Sequence, residues 1–145
     1  MFELSSFYSL SEIESFNIQY VSLVSKYKGK WVIVHHSIFD KWDCPGGRIE
    51  HKETPIEAAK RELWEETGAL EAVYNPLFIY SIETDNGISY GIQYFVEIKE
   101  IGPLPKYEMD KVEFVDELPF EKMRTPEVHR RLTATINIVL SKGIQ

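Results

Sequence analysis

The chain has 145 residues, 43% hydrophobic, 27% charged and 13% aromatic, with a net charge of −7 from 16 Lys and Arg against 23 Asp and Glu. That size and mixture suit a single globular domain over residues 1–145 and exclude a disordered chain, while the negative balance disfavours general nucleic-acid binding and leaves small phosphorylated ligands open. No apolar run is long enough to span a membrane, the start Met1-Phe2-Glu3-Leu4-Ser5 lacks a basic signal-peptide region, and a single cysteine, Cys44, excludes an internal disulfide and a multi-cysteine zinc site, so a cytoplasmic location is expected.

Residues 1–16 carry Phe2, Leu4, Phe7, Tyr8, Leu10, Ile13 and Phe16 among Ser and Glu, a pattern that does not choose between strand and helix. Residues 18–24 and 31–35 are rich in β-branched and aromatic types and read as strands. Tyr27-Lys28-Gly29-Lys30 between them reads as a hairpin turn, and Pro45-Gly46-Gly47 is expected to break any regular element. A helix follows with clear punctuation. Thr54 is its N-cap, Pro55 its first residue, Glu57 completes a Thr-x-x-Glu capping box, and Gly68 is a left-handed stop. Ile56, Ala59 and Leu63 are expected to form its buried stripe. Residues 77–83 and 88–98 read as strands joined by Asp85-Asn86-Gly87, and 111–115 as another strand. Thr125-Pro126 opens a last helix that ends before Gly143, with Val128, Leu132, Ile136, Val139 and Leu140 on its apolar face. This order predicts an α/β fold: a mixed sheet with a helix on each face.

The chemistry concentrates on the first helix. Glu62, Glu65 and Glu66, at i, i+3 and i+4, share one face. As helix design this is poor: like charges at i, i+4 repel, and all three lie near the negative end of the helix dipole. A hard divalent cation would reverse both penalties, and oxygen-only ligands select Mg²⁺, Mn²⁺ or Ca²⁺ over zinc. Arg61 is placed either to join a surface ion-pair ladder or to hold a carboxylate in one rotamer. Gly46 and Gly47 in the preceding loop allow close approach of a ligand to the backbone, and Glu53 ends that loop.

Gly47, five residues, Glu53, seven residues, Arg61-Glu62-Leu63, one residue, Glu65-Glu66, one residue and Gly68 reproduce every fixed letter of the pattern G-x5-E-x7-R-E-U-x-E-E-x-G-U, where U is bulky and aliphatic. Chance agreement is roughly one in 10⁷ at average residue frequencies. The chain thus resembles the Nudix hydrolases, with the box over 47–69; the one departure is the small Ala69 at the last U. The resemblance implies an α/β/α sandwich with a mixed β-sheet, and Mg²⁺- or Mn²⁺-dependent hydrolysis of a nucleoside diphosphate linked to another group. It assigns Glu65 and Glu66 as principal metal ligands, with Glu62 as a further ligand or an orienter of the attacking water. The carbonyl of Gly46 would be another ligand. Glu53 would contribute to the metal cluster or position its neighbours, and Arg61 would orient a box carboxylate; Gly47 and Arg48 are taken as candidate substrate contacts. One more acidic residue is expected after the box: Glu108, Asp110 and Glu113 compete, with Glu108 preferred.

Compact size, and the lack of signatures for ADP-ribose or dinucleoside polyphosphates near Asp85, Asn86 and Gly87, point to the nucleoside triphosphate group of MutT-like enzymes, including those acting on oxidised nucleotides such as 8-oxo-dGTP. The alternatives are removal of pyrophosphate from RNA 5′ ends and a non-catalytic nucleotide-sensing domain. The expected partner is a small-molecule nucleotide, bound by a monomer or homodimer. His35 and His36 read as structural or solvent-facing, and Cys44 as a packed small residue. Lys41, Arg48 and Lys52 flank the box and could meet phosphates, though cations in such positions are more commonly solvated surface groups. Trp31, Tyr80, Tyr90, Tyr94 and Phe95 could stack on a base, though strand aromatics usually belong to the core.

Overall fold

The two runs rich in β-branched residues form the middle of the sheet. In the computed structural model, which describes residues 2–143, they become β2 (Ile18–Tyr27) and β3 (Lys30–His36). Lys28 and Gly29 between them take φ of 51° and 81°, the left-handed pair that suits the twist of a tight hairpin. The ladder is short, only Lys26 with Trp31 and Tyr27 with Lys30. Beyond it the strands part. There β5 (Gly46–Arg48) takes over the edge of β2, with Tyr20, Val21 and Ser22 opposite Arg48, Gly47 and Gly46.

This corrects the expectation that Pro45-Gly46-Gly47 only interrupts. The glycines form a strand because the space beside β2 admits little more than a backbone: a Cβ on Gly46 would lie 2.6 Å from the carbonyl oxygen of Val21. Pro45 lacks an N–H to donate, but its carbonyl accepts from the Leu23 amide at 2.8 Å. On the far side β4 (Lys41–Asp43) and β8 (Met109–Val115) pair with opposite edges of β3.

The other half is a long hairpin, β6 (Ala69–Thr84) and β7 (Gly87–Ile101), turned by Asp85 and Asn86 with Gly87 at positive φ. Both strands run further than the composition of 77–83 and 88–98 suggested. β7 lies parallel to β2 from Tyr90 to Ile98. The ambiguous N-terminal segment is a strand, β1 (Phe2–Tyr8), antiparallel to β6, followed by a 3-10 helix over Leu10–Ser15 capped by Ser9; Met1 lies outside the described residues. Among the described residues eight strands join one mixed sheet in the order β1-β6-β7-β2-β3-β4, with β5 on β2 and β8 on β3.

One helix covers each face, as the α/β/α reading requires. α1 (Pro55–Thr67) buries Ala58, Ala59 and Leu63 against Val21, Leu23 and Val32, whereas α2 (Pro126–Ser141) buries Val128, Leu132 and Ile136 against Val24 and Ile33. Consecutive strand residues such as Leu23 and Val24 serve opposite cores, the two-residue alternation of a strand buried on both sides. In α1 the expected stripe needs one correction. Ile56 is 38% exposed and Ala58 takes its place in the core, because the sheet meets the helix one residue further round. No helix among the described residues is long and apolar enough to cross a membrane.

The end of α1 is fixed by Gly68, at φ 80° with its N–H bonded to the Trp64 carbonyl. A Cβ there would lie 2.6 Å from the Pro103 carbonyl oxygen and 2.7 Å from that of Gly102, both backbone atoms. Gly68→Ala is therefore expected to lower the free energy of unfolding by about 2 kcal/mol or more, from left-handed strain plus the displaced loop. Urea titration of the two proteins checks this.

Candidate active site

The capping box that starts α1 also sets the direction in which its carboxylates project. Thr54 Oγ1 accepts from the Glu57 amide, and Glu57 Oε1 accepts from the Thr54 amide at 2.9 Å. From that fixed start, Arg61, Glu62, Glu65 and Glu66 emerge beside β5 and line a cleft of about 570 Å³ together with Gly46, Gly47, Arg48 and Glu108.

Arg61 organises the cluster. Its Nε donates to Glu53 Oε2 at 2.7 Å, and one terminal nitrogen donates to Glu62 at 2.8 Å and Glu65 at 3.0 Å. The other donates to the Arg48 carbonyl and Glu53 Oε1, each at 2.9 Å. The grip of Arg61 holds the Glu53 carboxyl down at about 2, with the Glu50 amide helping, and Glu53 in return raises the pKa of the guanidinium. Arg61 thus bonds three carboxylates at once and adds a tie to the backbone of β5.

Glu66 is the buried member, 6% exposed, and its Oε1 accepts from the Gly46 amide at 2.9 Å. Burial pushes its carboxyl well above the ordinary range; the Gly46 N–H opposes this, and the negative charges of Glu62, Asp43 and Glu108 reinforce it. Burial likewise raises Glu62 despite Arg61. A side chain at Gly47 would push Glu62 out of its place, because a Cβ would sit 2.4 Å from the Glu62 carboxyl carbon.

Among the three acidic residues after the box, only Glu108 lines the cleft. Asp110 is bound to His35 Nδ1 at 2.6 Å, and Glu113 is exposed on β8 opposite Ile33. Glu108 is held from behind, its carbonyl accepting from the Ser37 amide at 3.1 Å and hydroxyl at 2.9 Å.

The donor set is all oxygen and carries more negative charge than Arg61 balances, which fits a hard divalent cation. Buried Glu66 in particular needs a positive partner to hold its charge. Among the described residues no three His, Cys, Asp or Glu side chains converge as a finished cage. Glu62 and Glu65 are turned to Arg61, and Glu66 to the Gly46 amide.

Several residues of the region escaped the sequence reading. His36 is buried and lines the cleft, its Nε2 3.5 Å from Glu108. His35 is also buried, between Asp110 and Asp40, which raise its pKa. Neither histidine faces solvent. Tyr20, Tyr107 and Arg124 line the cleft as well, whereas Lys41 and Lys52 line neither cleft. A second cleft of about 440 Å³ adjoins the first across Asp43, Cys44, Gly46 and Gly47; its walls include Tyr80, Ile82, Val128 and Leu132. Of the five aromatic candidates for stacking, Tyr80 alone reaches a cleft, lying over Gly91, where a Cβ would meet its ring at 2.3 Å.

His129 of α2 closes the base of that second cleft, its Nε2 2.8 Å from Asp43. Burial opposes its charge, but the Asp43 carboxylate and Cys44 outweigh burial and push the imidazole up to about 10. No local motif joins His129 to Asp43, so only the fold reveals the pair.

Residues 19–136 match the family model described as NUDIX domain. Phosphatase NudJ of Escherichia coli K12 is 32% identical over 93 residues, covering 62% of this chain and 61% of NudJ, and the Shigella flexneri NudJ matches to the same extent. The match thus spans less than two thirds of these relatives. Among solved structures, a mutant of the Bacillus subtilis pyrophosphohydrolase BsRppH superposes with a TM-score of 0.81 at 24% identity, over 99% of this chain and 93% of that one. A hydrolase of the same family from Nitrosomonas europaea gives 0.69 at 18% identity, over 85% and 91%. At such identities these two likenesses establish the fold.

The His129–Asp43 pair has a testable pH signature. A histidine whose pKa rises from 6.5 to about 10 on folding contributes stability in full below pH 6.5 and loses it as the pH climbs through 10. His129→Gln is expected to cost about 3 kcal/mol at pH 6, with the gap to the natural protein narrowing steadily towards pH 10. Denaturant melts at several pH values measure this, and a gap independent of pH would refute the charge assignment.

Proposed function

Because the chain belongs to the Nudix family, we propose that it is a divalent-metal-dependent pyrophosphohydrolase acting on a nucleoside triphosphate, including oxidised forms, to give a nucleotide plus phosphate or pyrophosphate. The observation that carries this reading is the gathering of Glu62, Glu65, Glu66 and Glu108 in one cleft that opens onto a second, more apolar one. The first suits a metal-bound phosphate chain and the second suits a nucleoside. The names of the similar proteins, phosphatase and pyrophosphohydrolase, point the same way.

Mg²⁺ or Mn²⁺, when bound, would neutralise phosphate charge and lower the pKa of a coordinated water. Glu62, Glu65 and Glu66, with the Gly46 carbonyl and Glu108, would hold it. Glu53 keeps Arg61 in place, and Arg61 keeps Glu62 and Glu65 in defined rotamers. An ionised carboxylate of this group would take the proton of the attacking water. Gly47 leaves room for Glu62, and Arg48 beside it can meet a phosphate oxygen. With its single buried cysteine, such an enzyme suits the reducing cytoplasm.

Removal of pyrophosphate from an RNA 5′ end is a second reading. The exposed rings of Phe39, Trp64 and Tyr107 favour it, since single-stranded bases stack on such surfaces. The negative charge of the chain weighs against it.

A panel of canonical and oxidised deoxynucleoside triphosphates, ADP-ribose, dinucleoside polyphosphates and triphosphorylated RNA, assayed with Mg²⁺ or Mn²⁺ and with products identified, tests the proposal. Turnover that needs the metal and releases a nucleotide supports it; tight nucleotide binding without turnover would favour a sensing domain. Glu66→Gln is expected to lower kcat by about two orders of magnitude or more while leaving the thermal midpoint unchanged or higher, because it neutralises a buried charge. Gly47→Ala is expected to lower kcat with little change in stability, since the Glu62 side chain can swing aside but not remain where it is.

A further inference from the structure

We infer that Arg124 is a substrate-binding residue, the cation that receives phosphate oxygens of the substrate where the two clefts meet. The inference rests on the hydrolase reading and adds to it a residue outside the box. Arg124 lines both clefts, whereas Arg48 and Arg61 line only the first. Of the other basic groups, Arg48 lies over the Tyr20 ring and reaches the first cleft alone, and the rest are committed. Arg61 is spent on Glu53, Glu62 and Glu65, and His129 on Asp43, while His36 lies beside Glu108. Among the described residues the guanidinium of Arg124 has no carboxylate and no hydrogen-bond acceptor.

It is nevertheless held in place. The backbone N–H of Arg124 donates to the Trp42 carbonyl at 3.0 Å, and Met123 bridges to Trp42, so the residue is registered to the strand that leads into Gly46. Its guanidinium carbon lies 4.2 Å from the centre of the Phe39 ring. Stacking on an aromatic face occupies the flat side of a guanidinium and leaves its in-plane N–H groups for an anion. This gives a reason for Phe39 to stand 53% exposed. The turn that carries Phe39 is itself fixed, the amides of Ile38 and Phe39 both facing His36 Nδ1, at 3.2 and 3.4 Å.

Charge complementarity identifies the ligand chemistry. A phosphate chain passing from the acidic cleft to the apolar one carries more negative charge than a cation at the glutamates neutralises. At the junction the only carboxylate shared by both clefts among the described residues is Asp43, whose charge His129 balances, so the unpaired arginine is the group there that can answer the phosphate charge. Arg124 supplies bidentate donors there.

The test compares the natural protein with Arg124→Ala, Arg124→Lys and Phe39→Ala. Binding of inorganic pyrophosphate in the presence of Mg²⁺ is measured by calorimetry, and kcat and KM are measured for the nucleotides turned over in the panel. Arg124→Ala is expected to weaken pyrophosphate binding and raise KM by roughly 10- to 100-fold, the worth of a charged hydrogen bond, with a much smaller change in kcat. Arg124→Lys should recover part of the pyrophosphate affinity, and Phe39→Ala should raise KM without altering kcat. Unchanged pyrophosphate binding and KM in Arg124→Ala, with the natural protein active, would overturn the inference and leave the hydrolase reading intact. A loss confined to guanine nucleotides would also overturn it, by making Arg124 a reader of the base. A natural protein that neither binds pyrophosphate nor turns over any nucleotide would overturn the hydrolase reading, and the inference with it.

Discussion

Three of the carboxylates at the acidic cleft, and the loop that leads to them, are ordered by the guanidinium of Arg61. Glu62, Glu65 and Glu66 are crowded at the negative end of a helix, an arrangement that repels itself. A planar cation with five donors can face several carboxylates and a carbonyl at once, and Arg61 does so, reaching Glu53, Glu62, Glu65 and the Arg48 backbone. A lysine carries three donors on a flexible stem and cannot span that set. By holding Glu53 and Arg48 the same side chain also pins the connection between β5 and α1. The length of that connection follows: the spacing from Gly47 to Glu53 to Arg61 is what lets one guanidinium close the loop onto the helix.

The segment from Asp43 to Gly47 is gripped from both faces of the sheet. From α1, Glu66 accepts from the Gly46 amide. From α2, His129 pairs with Asp43, which also accepts from the Cys44 amide. The two grips are electrostatically opposite. Glu66 is a buried acid short of positive charge, and His129 is a partly buried base that has found its counter-charge. The site thus places its unmet demand for a cation on the α1 side, where the other glutamates are, and keeps the α2 side locally balanced.

What could be read from the sequence was what is decided locally. Thr54, Pro55, Glu57 and Gly68 mark the ends of α1 because capping is chemistry between residues a few positions apart. Lys28-Gly29 and Asp85-Asn86-Gly87 mark hairpins for the same reason, and the glutamate spacing puts three carboxylates on one face whatever surrounds the helix. What escaped is decided across the fold. β4 and β5 are three residues each and exist because β3 and β2 offer them edges. Ile56 looked buried by periodicity, yet the sheet chose Ala58. Glu108 is preferred over Asp110 and Glu113 without a local reason; the fold separates them, since His35 takes Asp110 and the register of β8 puts Glu113 on an exposed position. Arg124 and His129 carry no signal of their own, since their meaning comes from β4.

The glycine strand beside β2 has a dynamic consequence. Loops that carry chemistry are commonly the first parts of a protein to open, breathing independently of the core. Here the residues that approach the cleft most closely, Gly46 and Gly47, are laddered to one of the central strands, flanked by the Pro45 carbonyl on the Leu23 amide and the Ile49 amide on the Gln19 carbonyl. They cannot detach unless β2 releases them, and β2 is shared with β7 and with both cores. The backbone of the cleft therefore belongs to the same cooperative unit as the sheet, and its amides are expected to exchange with the whole fold rather than as a loop. Motion at the cleft is left to the side chains.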